Sequence, residues 1–248
     1  MNKFLILSTT MIALVGISAA SHAAGKAKWS YSGAAGPQHW GSLHASFSAC
    51  ADGKNQSPIN LTRVLKSALK PIVFSYKAGG REILNNGHTI QVNYAPGSSI
   101  TVDGKSFELK QFHFHAPSEN TIEGHAYPLA GHFVYADAKG NLAVVAVMYS
   151  IETPLAELDK AWKHMPKKAG EKKALPTPVD ANALLPKNRG YYRFNGSLTT
   201  PPCSEGVRWL VMDTYKEIDS TQIAAFKKVM HHANNRPVQP INARTILK

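Results

Sequence analysis

The sequence predicts a mainly β (α+β) single domain, a sheet-dominated body with small peripheral helices. Three observations carry that expectation. Strand signals fill the middle of the chain, both as alternating segments and as short apolar runs bounded by turn residues. Only two segments space their apolar residues as a helix does. No internal repeat, low-complexity linker or domain boundary interrupts residues 24–248, a length that suits one large core.

Residues 1–23, "MNKFLILSTTMIALVGISAASHA", read as a secretory signal peptide. Lys3 precedes an apolar run from Phe4 to Ile17, and small residues Ser21 and Ala23 mark the expected cleavage site. The run is short and broken by Ser8, Thr9 and Thr10, which argues against a membrane anchor, and no later segment could span a bilayer. The chain is therefore expected to be exported, to the periplasm in the first reading, with secretion or the cell surface as alternatives.

Beyond the leader, "HTIQVNY" (88–94) alternates as a strand does. "SITVDGKSFEL" (99–109) reads as a hairpin around Asp103-Gly104, a dipeptide suited to a two-residue turn. Strands are expected over 109–116 and 129–136, separated by a loop containing Pro117, Gly124 and Pro128. Ala138-Lys139-Gly140 then turns the chain into "LAVVAVMY" (142–149), an apolar run fit for burial on both faces. "PLAELDKAWKHM" (154–165) places Leu155, Leu158 and Trp162 at helical spacing. "GVRWLVMD" (206–213) is another strand. "DSTQIAAFKKVM" (219–230) is a helix that opens on a cap-like Asp219, with Gln222 three positions on.

The formal charge is +12, or +11 once Lys3 leaves with the leader. Such a balance could suit nucleic acid. The lysines are dispersed, however, apart from "KKAGEKK" (167–173), which reads as a solvated loop, and an exported chain has no nucleic-acid partner in view. The two cysteines, Cys50 and Cys203, are most simply a disulfide in an exported protein; two free thiols are the alternative.

The chemistry concentrates in "KQFHFHAPSEN" (110–120). On a strand, His113 and His115 share one face, while Phe112 and Phe114 share the other. Alone, such a pair is more often two satisfied core histidines than a metal site, because zinc needs at least a third ligand. "LAGHFVYAD" (129–137) supplies a candidate. If its strand pairs antiparallel with 109–116, His132 falls beside His113 and His115. Three imidazoles would then leave a fourth tetrahedral position open, as catalytic zinc sites do.

"GPQHW", "NQSPIN", "ILNNGH", "QFHFHAPSEN", "GSLTTPPCSEGVRWLV" and "NNRPVQPINAR" occur in this order. Together they resemble the alpha-class carbonic anhydrases, particularly the exported bacterial type, over about Trp29 to Arg244. The resemblance implies a central, twisted, mostly antiparallel sheet of about ten strands with one zinc on the floor of a cleft. The implied activity is the reversible hydration of carbon dioxide to bicarbonate and a proton, by attack of zinc-bound hydroxide. CO2, water and bicarbonate are the implied small-molecule partners, and a homodimer is left open.

Carried over position by position, the resemblance makes His113, His115 and His132 the zinc ligands. Thr199 becomes the residue whose hydroxyl donates to Glu119, and Thr200 adjoins the bicarbonate position. Val134, Val144, Leu198, Val207 and Trp209 match the apolar wall that receives CO2, though each also reads simply as core. His88 matches the proton shuttle, where in isolation it would be a surface turn residue. Tyr31 and Asn86 match residues that order the connecting waters, and Gln91 sits where many relatives have asparagine. Gln111 resembles the partner of His113. One departure stands out. Relatives commonly carry a glutamate two positions before the third histidine; here that position is Ala130. The other histidines read as peripheral, His231-His232 at the end of a helix among them.

Two competing functions are weaker. A binding or adhesion module that had lost the chemistry would lack a ligand or the Thr199–Glu119 pair, and this sequence keeps them all. A zinc peptidase would need a motif such as HExxH, which is absent.

Overall fold

Alternating strands must bury one face each, and here they do so in one large sheet. The structure is a computed structural model that describes residues 28–248; the expected signal peptide lies outside them. In chain order the elements are α1 (Trp40–Leu43), α2 (Ala49–Asp52), β1 (Asn60–Leu61), β2 (Val73–Ser75), β3 (Gly80–Asn85), β4 (Ile90–Tyr94), β5 (Ser99–Val102), β6 (Lys105–His115), β7 (Thr121–Ile122), β8 (Leu129–Ala136), β9 (Leu142–Ile151), α3 (Ala156–Trp162), β10 (Lys172–Val179), β11 (Tyr191–Ser197), β12 (Glu205–Met212), β13 (Lys216–Ile218) and α4 (Ser220–Met230). Eleven strands form the main sheet, with the backbone order β10-β3-β4-β6-β8-β9-β12-β11; β5 joins β2 to β6, and β13 pairs with β9. β1 and β7 form a separate parallel pair.

Pairing is mostly antiparallel, yet the sheet is mixed. Both β12 and β13 run parallel to β9, on successive halves of its length. The alternation of side chains along a strand does not encode this, because it specifies a face and not a neighbour's direction. The hairpin at Asp103-Gly104 forms as expected, with both residues at positive φ (51° and 71°). The expected solvated loop at 167–173 ends early: Lys172 and Lys173 open β10, opposite Leu84 and Ile83 of β3. This is an edge strand, where exposed lysines discourage further pairing.

The core lies on both faces of β9. Ala143, Val145, Val147 and Tyr149 pack into the larger cluster with Phe112, Phe114 and Phe133, while Val144, Ala146 and Met148 pack into a second with Val207 and Trp209. Period-2 geometry therefore sends Phe112 and Phe114 of β6 into the larger core and turns His113 and His115 toward the other side. Two helices close the larger core. Gln222 Oε1 accepts from the Asp219 N–H (3.2 Å) in a capping box, and the Trp162 indole donates to the Gln222 carbonyl (2.9 Å), which ties α3 to α4. Among the described residues, no helix is long and apolar enough to cross a membrane.

Candidate metal centre

β6 and β8 pair antiparallel with His113 directly opposite His132. The register places His115 one pleat further along the same face. One nitrogen from each of the three rings lies within 4.8 Å of the others, a spacing that fits a single ion. His115 and His132 are each 1% exposed, whereas His113 is partly open to a cavity.

The remaining nitrogens decide which lone pairs face inward. His113 Nδ1 bonds Gln111 Oε1 (2.9 Å), and His115 Nδ1 donates to the Asn234 carbonyl (2.6 Å). Both rings therefore turn Nε2 toward the cluster. His132 is reversed: its Nδ1 lies 3.7 Å from Glu119 Oε2, the same oxygen that lies 3.5 Å from His115 Nε2. Its Nε2 points away, buried and without a hydrogen-bond partner among the described residues. Ala130, fully buried on the same strand, offers it nothing. Burial and the neighbouring imidazoles push His113 and His132 well below the ordinary histidine range, so both are neutral, the form that ligates metal.

Glu119 follows β6 in the loop and is itself buried. Its Oε1 accepts from the Arg236 N–H (2.8 Å), whereas Oε2 has no complete hydrogen bond. Burial raises its pKa; His115, the Arg236 amide and the nearby Thr199 hydroxyl oppose that rise. Thr199 and Thr200 leave the end of β11 in a loop that close packing fixes. Ser57 and Ser197 exchange backbone-to-hydroxyl bonds (2.8 and 3.1 Å), and a Cβ on Gly196 would lie 2.1 Å from Ser57 Oγ, so only glycine fits there. Further on, Cys203 is joined to Cys50 by a disulfide.

A cavity of about 150 Å³ opens beside His113 and His115, lined by Trp29, Tyr31, Asn86, His88, Thr89, Gln91, Gln111, His113, His115 and Thr200. Asn86 Oδ1 accepts from the His88 and Thr89 amides (2.9 and 2.8 Å), which shapes the turn that carries His88. Trp29 stacks on the His88 ring, with centroids 3.6 Å apart. Gln91 donates to Asn93 (2.6 Å). Val144, Val207 and Trp209 are buried in the second core cluster, with Val134 and Leu198 partly buried against it, and the Trp209 ring meets His132 edge-on at 5.0 Å. Of the residues singled out in the sequence, Tyr31, Asn86, His88, Gln91, Gln111, His113, His115 and Thr200 line this cavity, while Val134, Val144, Leu198, Val207 and Trp209 belong to the second core cluster.

Several contributors were not singled out there. Asn234 holds the His115 ring, bonds the Ala116 amide through Oδ1, and donates to the His88 carbonyl (3.1 Å). Arg236 is 2% exposed and bonds Gln56, the Ser57 carbonyl and the Cys50 carbonyl. Both lie in "NNRPVQPINAR", so the motif was visible though its work was not. Trp29, which lines the cavity and stacks on His88, was not singled out either.

Fold and donor set together define a class: a β-sheet enzyme with three imidazoles converging on a cleft floor. Residues 35–248 match the family profile described as eukaryotic-type carbonic anhydrase. The chain is 50% identical over 219 residues to a carbonic anhydrase of Pectobacterium carotovorum, covering 88% of this chain and 90% of that one. It is 46% identical over 244 residues to one from Neisseria gonorrhoeae, covering 98% and 96%. A solved alpha-carbonic anhydrase from Thermovibrio ammonificans, in complex with the inhibitor sulfanilamide, superposes with a TM-score of 0.88 at 49% identity, covering 90% of this chain and all of that one. The chain belongs to the alpha-class carbonic anhydrase family, and its activity is that of the family, the hydration of carbon dioxide.

Proposed function

We propose that this chain hydrates CO2 reversibly with one zinc ion held by His113, His115 and His132, and that His88 carries away the proton. The convergence of three neutral-capable ring nitrogens within 4.8 Å is the observation that carries this reading. Zinc, when bound, supplies Lewis acidity that brings the pKa of a coordinated water close to 7, the value known for this enzyme class.

The chain's own groups do the rest. Gln111 and the Asn234 carbonyl fix the tautomers of His113 and His115, so that their Nε2 lone pairs face the ion. Arg236 anchors one oxygen of Glu119 and leaves the other to accept the Thr199 hydroxyl hydrogen. An ionised carboxylate can only accept, so Thr199 must offer its lone pair to the nucleophilic oxygen and thereby orients it toward substrate. Val134, Val144, Leu198, Val207 and Trp209 form an apolar wall where CO2 meets that oxygen without a shell of water. Thr200 faces the cavity where bicarbonate leaves. The Cys50–Cys203 disulfide supports export to an oxidising compartment such as the periplasm. Stopped-flow CO2 hydration on the purified mature chain, with zinc measured on the same sample, tests the whole reading; a folded, zinc-loaded but inert protein would overturn it.

His88→Ala should slow turnover chiefly in weak buffer, by about 10-fold or more, since a positioned acid–base group contributes ~10²–10⁴-fold. Imidazole added to the assay should restore part of the loss by carrying protons itself. An equal loss at every buffer concentration would assign His88 a structural role.

Ala130→Glu should tighten zinc binding. Residues 130 and 132 share a strand face, and His132 Nε2 is the unpartnered atom a carboxylate would meet. Partners of this kind alter metal affinity by ~10–100-fold. Catalysis need not improve, because a more basic ligand makes the ion less acidic. Chelator competition on both proteins decides it, and unchanged zinc retention in a folded variant would refute the expectation.

A further inference from the structure

At the mouth of the cleft the aromatic residues form a short series. His88 lies between Trp29, stacked on its face, and Tyr31, whose ring centroid is 6.4 Å away and nearly edge-on. Tyr31 also packs against His232, with centroids 6.0 Å apart. His232 follows the C-cap of α4, where His231 adopts a left-handed conformation (φ 62°) that ends the helix. Two residues later Asn234 reaches beneath the rim to the His88 carbonyl (3.1 Å), so the segment bearing His232 is pinned to the turn bearing His88.

The His232 ring is set up to take a proton. Its Nδ1 lies 3.0 Å from the Ala233 carbonyl, and a carbonyl can only accept. Nδ1 therefore carries the hydrogen in the neutral ring, and Nε2 presents a free lone pair. The side chain is exposed, open to bulk solvent and buffer, whereas His88 is half-buried.

We propose that His232 is a second proton carrier, receiving the proton from His88 across the cleft rim beside Tyr31 and passing it to buffer base. This rests on His88 being the shuttle. The step balances as a simple relay: the proton leaves a ring nitrogen of His88, Nε2 of His232 accepts it, and a buffer base in solution removes it, regenerating both neutral rings. The electrostatics agree with the geometry. Burial, and then the charge of His232, hold His88 below the ordinary histidine range. A proton resting on His232 thus keeps His88 neutral and ready for the next transfer from the cleft.

The test compares the zinc-loaded enzyme with His232→Ala and His232→Gln, and with His88→Ala in parallel. Proton release is read by ¹⁸O exchange between CO2 and water and by kcat in weak and strong buffer; CO2 conversion is read by kcat/KM. Both His232 variants should lose roughly two- to fivefold in proton release in weak buffer, less than the ~10²-fold of a full acid–base group. Strong imidazole buffer should abolish the difference, and kcat/KM should not move. Full proton release in both variants, a loss that persists in strong buffer, or rescue by glutamine would overturn the relay. If His88→Ala also shows no buffer-dependent loss, the shuttle reading fails together with the relay; if His88→Ala alone shows it, only the relay fails.

Discussion

Replacing His113, His115 or His132 by alanine is expected to remove zinc from the protein and to cut CO2 hydration by about 10³-fold or more. The size follows from what the ion does, since without it water ionises far less readily than a metal-bound water with a pKa near 7. A pair of imidazoles also leaves two tetrahedral positions to solvent, which weakens retention as well as catalysis. The three positions should differ in stability. His115 and His132 are buried, so their loss opens a void and, at 115, strands the Asn234 carbonyl. His113 borders the cavity, and its truncation should perturb the fold least. Zinc stoichiometry and hydration rate on folded variants, checked by circular dichroism, make the measurement. A triple variant that kept full zinc and full rate would sink the assignment.

The second large effect concerns stability. Cys50 and Cys203 are 153 residues apart in sequence. Closing so long a loop restricts the unfolded chain by roughly 5 kcal/mol in the chain-entropy account, an upper figure because unfolded chains retain structure. The double variant Cys50→Ser/Cys203→Ser should therefore melt below the parent by up to about 10–20 °C, at ~2–4 °C per kcal/mol for a domain of this size. Activity should fall as well. Cys203 donates its N–H to the Thr200 carbonyl (2.9 Å), and the Cys50 carbonyl accepts from Arg236 (3.0 Å), whose amide holds Glu119. The bond thus joins both supports of the Thr199–Glu119 pair. A melting temperature within two or three degrees of the parent would show that packing alone holds this loop.

The histidines on β6 were legible because strand geometry is local. Residues two apart share a face whatever the rest of the chain does, and phenylalanines at the intervening positions said which face was core. His132 needed one more step, an antiparallel neighbour, and the turn-rich loop between the two strands made that pairing the economical one. The capping box of α4 and the Asp103-Gly104 hairpin were legible for the same reason, since each is settled within a few residues. The parallel pairing of β9 with β12 and β13 was not, nor was the strand that begins inside "KKAGEKK".

By itself, then, the sequence determined the β character of the chain, the shared face of His113 and His115, a third histidine on a neighbouring strand and the cysteine pair. These follow from periodicity, residue chemistry and count. Only the tertiary structure decided which nitrogen of each ring faces the cluster, that Asn234 and Arg236 hold His115 and Glu119 from more than a hundred residues away, and that His232 lies over Tyr31. It also decided that, among the described residues, none hydrogen-bonds His132 Nε2 beside Ala130. The physical reason is the same in each case. Hydrogen bonds between distant segments depend on how the strands and loops pack in three dimensions, and a pattern repeated every two residues carries no record of that.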